Sequence, residues 1–198
     1  MKGVEISMAY LDEEILSYKR QEKRAKYNTL ETGIYIKEEV IEFEPRDIPE
    51  LNINVTLPKS FVRMPDSIAK IKYPAETRPQ FIFTSLDTTI NFSFGVYSQD
   101  VPLNQVKQVA EQMKAMLKKV NPANIFYELQ EELTAKRALC WFNYKSYAID
   151  DQLYSIMYLL VAEKGKILHG TFSCRFSDMN EWNHAALQVI HSVKVMDI

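Results

Sequence analysis

Side chains that could perform chemistry are few in this chain. Three histidines, His169, His184 and His191, and two cysteines, Cys140 and Cys174, are the candidates for metal ligation, nucleophilic attack or proton transfer. His184 and His191 are seven residues apart, so on a helix their side chains would start about 10 Å apart along the axis, too far for one shared ion. Because zinc requires three or four neighbouring ligands, the sequence predicts no metal site.

His169 stands in an apolar run that favours a β-strand. A general base normally has a hydrogen-bonding partner that orients it, and the sequence offers none, so we interpret His169 as a histidine packed within a sheet. A nucleophile elbow and a phosphate-binding loop both need closely spaced glycines, and the chain has five in total. We therefore expect no catalytic residue and no cofactor, and we expect that the protein is not an enzyme.

The cysteines and the acidic pairs have structural interpretations. Cys140 and Cys174 each lie inside an apolar stretch rather than in a Cys-x-x-Cys pair, which favours buried thiols over a disulfide or a metal site. The Asp150-Asp151 pair is typical of a turn, and Glu38-Glu39 is typical of a charged sheet edge.

The densest aromatic group falls on two predicted neighbouring strands and consists of Trp141, Tyr144, Tyr147, Tyr154 and Tyr158. Such a group could receive an apolar segment of another protein or stack nucleic-acid bases. Cross-strand packing beneath helices is the favoured interpretation. These five residues are the candidate partner-binding residues.

Composition limits the classes of partner. The chain has 198 residues, of which 46% are hydrophobic and 25% are charged, as in globular proteins. With 24 basic and 26 acidic residues it has no positive field for phosphate backbones, so we expect no nucleic-acid partner. No apolar run approaches the roughly 18 residues of a membrane span, so we expect no membrane insertion. The opening residues lack an apolar signal region, so we expect a cytoplasmic protein.

Two amphipathic helices should position these side chains. The first follows Pro102, with Asp100 as its expected cap, and its apolar stripe runs from Val106 through Met113 to Val120. The second begins at Asp178, where Asp178 and Glu181 have capping-box spacing. Its expected buried stripe contains Trp182, Ala185, Ala186, Val189 and Ile190.

Extended segments fill most of the remaining chain. Alternating apolar residues predict a strand at 53–57 and a hairpin of 81–84 with 90–97. Four further strands are predicted at 125–133, 137–149, 153–163 and 167–176, with tight turns at 150–152 and 164–166. The predicted fold class is α+β: an antiparallel sheet of six or more strands covered by two amphipathic helices, an α/β/α sandwich.

The first 48 residues differ in character from the rest. Residues 13–27 are densely charged, and 32–43 alternate in part, which predicts a charged N-terminal extension (1–48) made of a helix and short strands. Residues 49–198 form the predicted α+β domain. The charged segment is a natural docking or dimerisation arm.

The order of these elements resembles the Mog1/PsbP-like fold, particularly its DcrB-related bacterial branch, over about residues 50–198. The features that carry the resemblance are Leu57-Pro58 followed by Phe61, the helix after Pro102, and the run Phe-Ser-x-x-x-Glu-Trp-x-x-Ala-x-x-x-x-Ile-x-Ser-Val-Lys-Val from Phe176 to Val195. The resemblance implies a binding or assembly module, since some cytoplasmic relatives escort secreted effectors. It implies no catalytic residue.

The functional expectation is therefore a non-catalytic protein-binding module, an adaptor or chaperone for a secreted or membrane-associated client. A homodimer is compatible with it. The alternative is a small-molecule-binding protein or an uncharacterised enzyme, with a pocket between the sheet and the helices.

Overall fold

The computed structural model describes residues 2–76, 78–148, 151–162 and 166–196. Of the predicted turns, residue 150 of 150–152 and residues 164 and 165 of 164–166 fall outside these ranges. The helices are α1 (Lys2–Lys26), α2 (Asp66–Lys72), α3 (Val106–Val120) and α4 (Met179–Ser192). The strands are β1 (Asn28–Thr29), β2 (Gly33–Ile36), β3 (Glu39–Ile41), β4 (Phe43–Ile48), β5 (Ile53–Pro58), β6 (Val62–Arg63), β7 (Phe81–Thr84), β8 (Asn91–Asp100), β9 (Ile125–Leu133), β10 (Arg137–Tyr147), β11 (Gln152–Ala162), β12 (Lys166–Arg175) and β13 (Lys194–Val195).

A seven-stranded sheet organises the fold, with the order β6-β7-β8-β12-β11-β10-β9. Each neighbouring pair in it is antiparallel. The predicted hairpin is β7–β8 and the predicted meander is β9 to β12, so both predictions are confirmed. Two three-stranded sheets, β1-β2-β3 and β13-β5-β4, lie alongside it.

Each face of the large sheet has its own core. On one face, Phe92, Tyr158 and Phe172 pack with Trp182 of α4, which is 6% exposed. On the other face, Met113 of α3 packs with Cys140 and Leu159, and α2 covers β7. Because helices cover both faces, the α/β/α sandwich is confirmed.

The helix starts differ from the sequence prediction. Asp100 belongs to β8, and a short 3-10 turn, Leu103–Gln105, separates it from α3. The capping box of α4 does not form: the Asp178 carboxylate is 2.7 Å from Lys37 Nζ, and Glu181 accepts a hydrogen bond from Arg24. The capping-box prediction was wrong because the β2–β3 turn and α1, both distant in sequence, bring cations to these two carboxylates. The Asp100 cap was wrong because β8 continues through that residue.

The end of the α3 stripe also differs from the prediction. Val120 was expected on the buried stripe of α3, but it is 78% exposed. The helix ends at this residue, beyond the part of its stripe that packs on the sheet.

The N-terminal segment contributes to the same core as α4. All four residues of β2 are buried, and Ile34, Ile36, Phe43 and Ile48 pack in the cluster that contains Trp182. The predicted boundary near residue 48 falls between β4 and β5, which pair with each other. Among the described residues, no helix is long and apolar enough to cross a membrane.

Candidate functional site

The five aromatic candidates are divided between the two faces of the sheet. Trp141, Tyr154 and Tyr158 lie on the α4 face, whereas Tyr144 lies on the opposite face and stacks on Phe126, with 5.3 Å between ring centroids. They therefore do not form one continuous surface.

The candidates also differ in accessibility. Tyr158 is 1% exposed and donates a hydrogen bond to the Ser93 carbonyl over 3.0 Å. Burial raises the pKa of this phenol well above its usual value. Trp141 packs its ring edge-on against His191, and Tyr147 is exposed beneath the ammonium of Lys145. Tyr158 is thus a core residue, while Tyr147 can be reached from solvent.

Tyr154 lines an open cleft between α4 and strands β9 to β11. The cleft has a volume of about 370 Å³. The Tyr154 hydroxyl donates a hydrogen bond to Asn183 Oδ1 over 2.6 Å, and burial raises the pKa of the phenol, so Tyr154 stays a neutral donor. The other lining residues are Tyr127, Asn143, Met179, Asn180, Asn183 and His184. We call this the amide cleft because three asparagines line it.

The amide cleft offers neutral hydrogen-bonding groups. The side-chain oxygen of Asn143 is buried and has no hydrogen-bond partner within the part of the chain that the structure describes. His184 is held at the rim, with Nε2 2.8 Å from the Asn28 carbonyl and 2.6 Å from Gln188 Nε2. Amide side chains donate and accept in the same pattern as a peptide group. The cleft is therefore suited to polar, uncharged groups such as a polypeptide backbone.

The free edge of β9 borders the amide cleft. β9 is the outermost strand of the large sheet: one side pairs with β10, and no described strand pairs with the other. Its side chains are largely exposed, including Ile125 (47%), Tyr127 (43%) and Leu133 (52%). Tyr127 belongs to both the strand and the cleft. On this edge the Tyr127 carbonyl accepts a hydrogen bond from Lys114 Nζ over 2.6 Å. The rest of the nine-residue edge presents backbone donors and acceptors that no described strand pairs with.

The remaining reactive side chains are held in structural positions. The His169 ring stacks on Tyr97 with 4.0 Å between centroids, and burial lowers its pKa to about 4. Cys140 and Cys174 are free and buried, and burial raises their pKa values to about 11 and about 12. The predictions of a strand histidine and of buried thiols are confirmed.

The two histidines of α4 link elements to one another. His191 Nε2 lies 2.9 Å from Glu132 Oε1 of β9, and Nδ1 lies 2.6 Å from the Leu187 carbonyl. Among the residues that the structure describes, no three His, Cys, Asp or Glu side chains are grouped so as to hold a metal ion.

Comparison with known proteins gives the fold. No family model matches the chain, and no curated protein matches it in sequence. The solution structure of cyanobacterial PsbP (CyanoP) from Synechocystis sp. PCC 6803 aligns with a TM-score of 0.55 at 8% identity, covering 80% of this chain and 95% of that one. The Ran-binding protein Mog1p of Saccharomyces cerevisiae aligns with a TM-score of 0.54 at 7% identity, covering 79% and 97%. The fold is Mog1/PsbP-like.

A third solved structure has the same architecture. LpqN, described as involved in cell envelope biogenesis of Mycobacterium tuberculosis, aligns with a TM-score of 0.54 at 10% identity, covering 86% of this chain and 99% of LpqN. At identities this low, these likenesses establish the Mog1/PsbP-like fold and leave the function open.

Sequence reasoning found Tyr154 but missed the other residues of the amide cleft. Asn180, Asn183 and His184 share one face of α4 by their spacing of three and four residues. That spacing was visible in the sequence, but the face consists of polar residues, which a search for apolar stripes does not detect. Asn143 and Tyr127 meet α4 only because of the sheet order.

Proposed function

We propose that this protein is a non-catalytic protein-binding module that holds an extended segment of a client along the free edge of β9, beside the amide cleft. In this role it would act as an adaptor or chaperone for a secreted or membrane-associated client, working in the cytoplasm. The observation that carries the proposal is the unpaired nine-residue edge of β9 next to a neutral cleft lined by asparagines.

An added strand satisfies the free backbone groups of β9 and gains affinity through main-chain hydrogen bonds. Alternate side chains of that strand would point toward the α4 face, where the amide cleft can receive them. The exposed carboxylate of Glu128 in β9 favours a client segment with Lys or Arg nearby. The same negative charge disfavours pairing of two β9 edges, which protects the free protein from aggregation.

The raised pKa values of the two thiols and the position of His169 support a non-catalytic role. A thiol whose pKa is raised to about 11 or about 12 is a poor nucleophile at neutral pH. His169 lies in a strand away from the amide cleft and is stacked on a tyrosine. Neither kind of group is placed to act on something bound at β9.

The fold is compatible with binding to proteins. Mog1p, which shares the fold, is described as a Ran-binding protein. Within the Mog1/PsbP-like fold we assign the chain to the DcrB-related bacterial branch, on the basis of the run that ends in Ser192-Val193-Lys194-Val195.

The test combines client capture with hydrogen exchange. The tagged full chain is used to capture partners, and overlapping synthetic peptides of the captured client are then titrated against the purified protein. We expect one extended peptide to bind and to slow amide exchange selectively at residues 125–133. The double variant Tyr127→Ala, Asn180→Ala should weaken that peptide by about tenfold or more.

Leu133→Ala is the matched control because Leu133 is also exposed on β9, 52% against 43% for Tyr127, but lies at the end away from the cleft. It should bind the peptide like the wild type. Protection outside β9, or equal binding by the double variant, would contradict the proposal. Native mass spectrometry that finds a small molecule retained by the wild type, with no peptide bound, would support the small-molecule alternative instead.

A further inference from the structure

Helix α1 is long, and its described side chains, those from residue 11 onward, are not covered by the rest of the protein. It comprises 25 residues, and every side chain from Leu11 to Lys26 is exposed. Single helices in water are marginal, and helices in proteins owe most of their stability to the packing of an apolar face. An uncovered helix of this length therefore points to a missing packing partner.

The protein holds α1 by one face of its last two turns. Arg20 pairs with Glu38, and Arg24 Nη2 lies 2.6 Å from Glu181 Oε1. The Lys23 ammonium lies 5.3 Å from the centre of the Tyr35 ring. At about 100° per residue, positions 20, 23 and 24 share one side of the helix.

The opposite side of α1 carries an exposed apolar stripe. Leu11, Ile15 and Tyr18 are spaced by four and three residues and are 52%, 52% and 70% exposed. In the sequence the same alternation reaches Val4 and Met8 in one direction, and in the other it passes through the charged residue Glu22 to Ala25. Alternation of four and three residues is the heptad pattern of helices that pack in pairs. We call Leu11, Ile15 and Tyr18 the α1 stripe.

We propose that the α1 stripe packs against the same stripe of a second copy of this chain, as an antiparallel pair of helices. This inference is independent of the function proposed for β9, because the two surfaces share no residue. It assigns to α1 the role of a dimerisation helix and leaves β9 free for a client.

The distribution of charge along α1 favours a second copy of the same helix as the partner, in the antiparallel direction. Residues 12–14 are Asp-Glu-Glu, whereas residues 19–26 contain five basic residues and one acidic residue, Glu22. An antiparallel pair sets the acidic part of each helix beside the basic part of the other. When Ile15 packs level with the partner's Tyr18, Asp12 lies beside the partner's Lys19, and the symmetry repeats this pair. A parallel pair would instead bring the two Glu22 carboxylates together in the apolar seam.

A lipid surface fits the same helix less well. Interfacial helices on membranes carry Lys and Arg beside the apolar face, which attract anionic lipids. In α1 the charges beside the stripe are mixed, because Asp12 and Glu14 flank it together with Lys19. Those carboxylates would be repelled by an anionic headgroup, so a protein surface with basic groups is the better match.

The first test is the mass of the full chain by sedimentation velocity over about 1–100 µM. We expect a species of twice the 23.1 kDa chain mass. Ile15→Lys should shift the protein to the monomer, while Leu16→Lys should not. The two positions are matched because Leu16 is equally exposed, 53% against 52%, but lies outside the stripe. A wild type that is monomeric throughout, or equal effects of the two variants, would overturn the proposal.

The second test determines whether the two α1 helices are antiparallel or parallel. Asp12→Lys and Lys19→Asp should each weaken the dimer by about tenfold, because each turns two attractive pairs into repulsive ones. The double variant should restore the wild-type dissociation constant. In a parallel dimer Lys19 would face Glu14, so the double variant would stay weakened, which would overturn the antiparallel arrangement. Binding of a monomeric wild type to phosphatidylglycerol vesicles would overturn the proposal in favour of a membrane.

Discussion

His169 lies in β12 with its ring stacked on that of Tyr97. Burial alone lowers its pKa from 6.5 to about 4. The unfolded chain therefore takes up a proton at a higher pH than the folded chain does. The contribution of His169 to stability is complete above about pH 6.5 and is lost as the pH falls toward 4.

We expect the free energy of unfolding to fall by about 2 kcal/mol between pH 7 and pH 5 because of this one group, at 1.36 kcal/mol per pKa unit. His169→Phe preserves the stacked ring and should remove that part of the pH dependence in urea unfolding. His184→Gln, at an exposed position, is the control and should retain the wild-type slope. Equal slopes for His169→Phe and the wild type would contradict the assignment.

Gly170 of β12 lies where there is no space for a side chain. A Cβ at this position would overlap the Ser93 carbonyl oxygen and the Tyr158 hydroxyl, two groups that are hydrogen-bonded to each other in the core. We expect Gly170→Ala to lower the free energy of unfolding by about 3 kcal/mol. At Gly95 the added Cβ would meet His169 Nε2 at 2.8 Å, the end of a side chain that can move.

Gly95→Ala is thus the matched comparison for Gly170→Ala and should cost about 1 kcal/mol. Chemical denaturation of both variants measures the difference. Equal losses of unfolding free energy in the two variants would contradict the prediction, because they would mean that the residues around Tyr158 can move aside as easily as His169.

At the scale of elements, the turn between β2 and β3 joins three parts of the molecule. Lys37 and Glu38 both have positive φ, 47° and 71°, as a two-residue hairpin turn of this type requires. The Lys37 backbone N–H donates to Glu181, its ammonium pairs with Asp178, and Glu38 pairs with Arg20. The turn thereby connects the start of α4 with the last turns of α1.

Removal of Glu181 should release α1 without unfolding the domain. Glu181→Ala breaks the contacts to Arg24 and to the Lys37 backbone. Because the Arg24 side chain is 56% exposed and water screens the pair, we expect a stability loss of at most about 1 kcal/mol. Limited trypsin cleavage after residues 20–26 should become several-fold faster, as measured by mass spectrometry. Glu128→Ala, which removes a carboxylate from β9, should leave that rate unchanged.

At the scale of the whole molecule, the N-terminal 48 residues consist of two unlike parts. Residues 11–26 bury no described side chain, whereas β2 and β4 bring Ile34, Ile36, Phe43 and Ile48 into the core. A chain that begins at residue 27 should therefore keep a cooperative thermal transition within a few degrees of the wild type. It should also be monomeric.

A chain that begins at residue 49 should lose cooperative unfolding, because β5 loses its partner β4 and the core loses four large side chains. Calorimetry of both truncations, with the full chain as reference, measures the effect. If residues 49–198 unfold like residues 27–198, the core contribution of β2 and β4 is smaller than the burial implies.

The parts of this fold that can be predicted from the sequence are those that depend on the local spacing of apolar residues. The stripe of α4 from Trp182 to Ile190 and the alternation in β8 each require only the spacing of apolar residues along a few turns or one strand. Short turns between consecutive strands then indicated an antiparallel meander. The resemblance of the whole order to the Mog1/PsbP-like fold followed from these elements, and the structural comparisons agree with it.

Tertiary structure decided what these elements do for one another. Asp178 and Glu181 have capping-box spacing, yet Lys37 and Arg24, more than 140 residues away in sequence, occupy their carboxylates. Tyr154 entered the amide cleft, but Tyr158, four residues later, is sealed in the core. The free edge of β9 exists because β9 pairs on one side only. Hydrophobic period is a local property of the chain, whereas accessibility, ion pairing and free edges depend on which distant segments pack together.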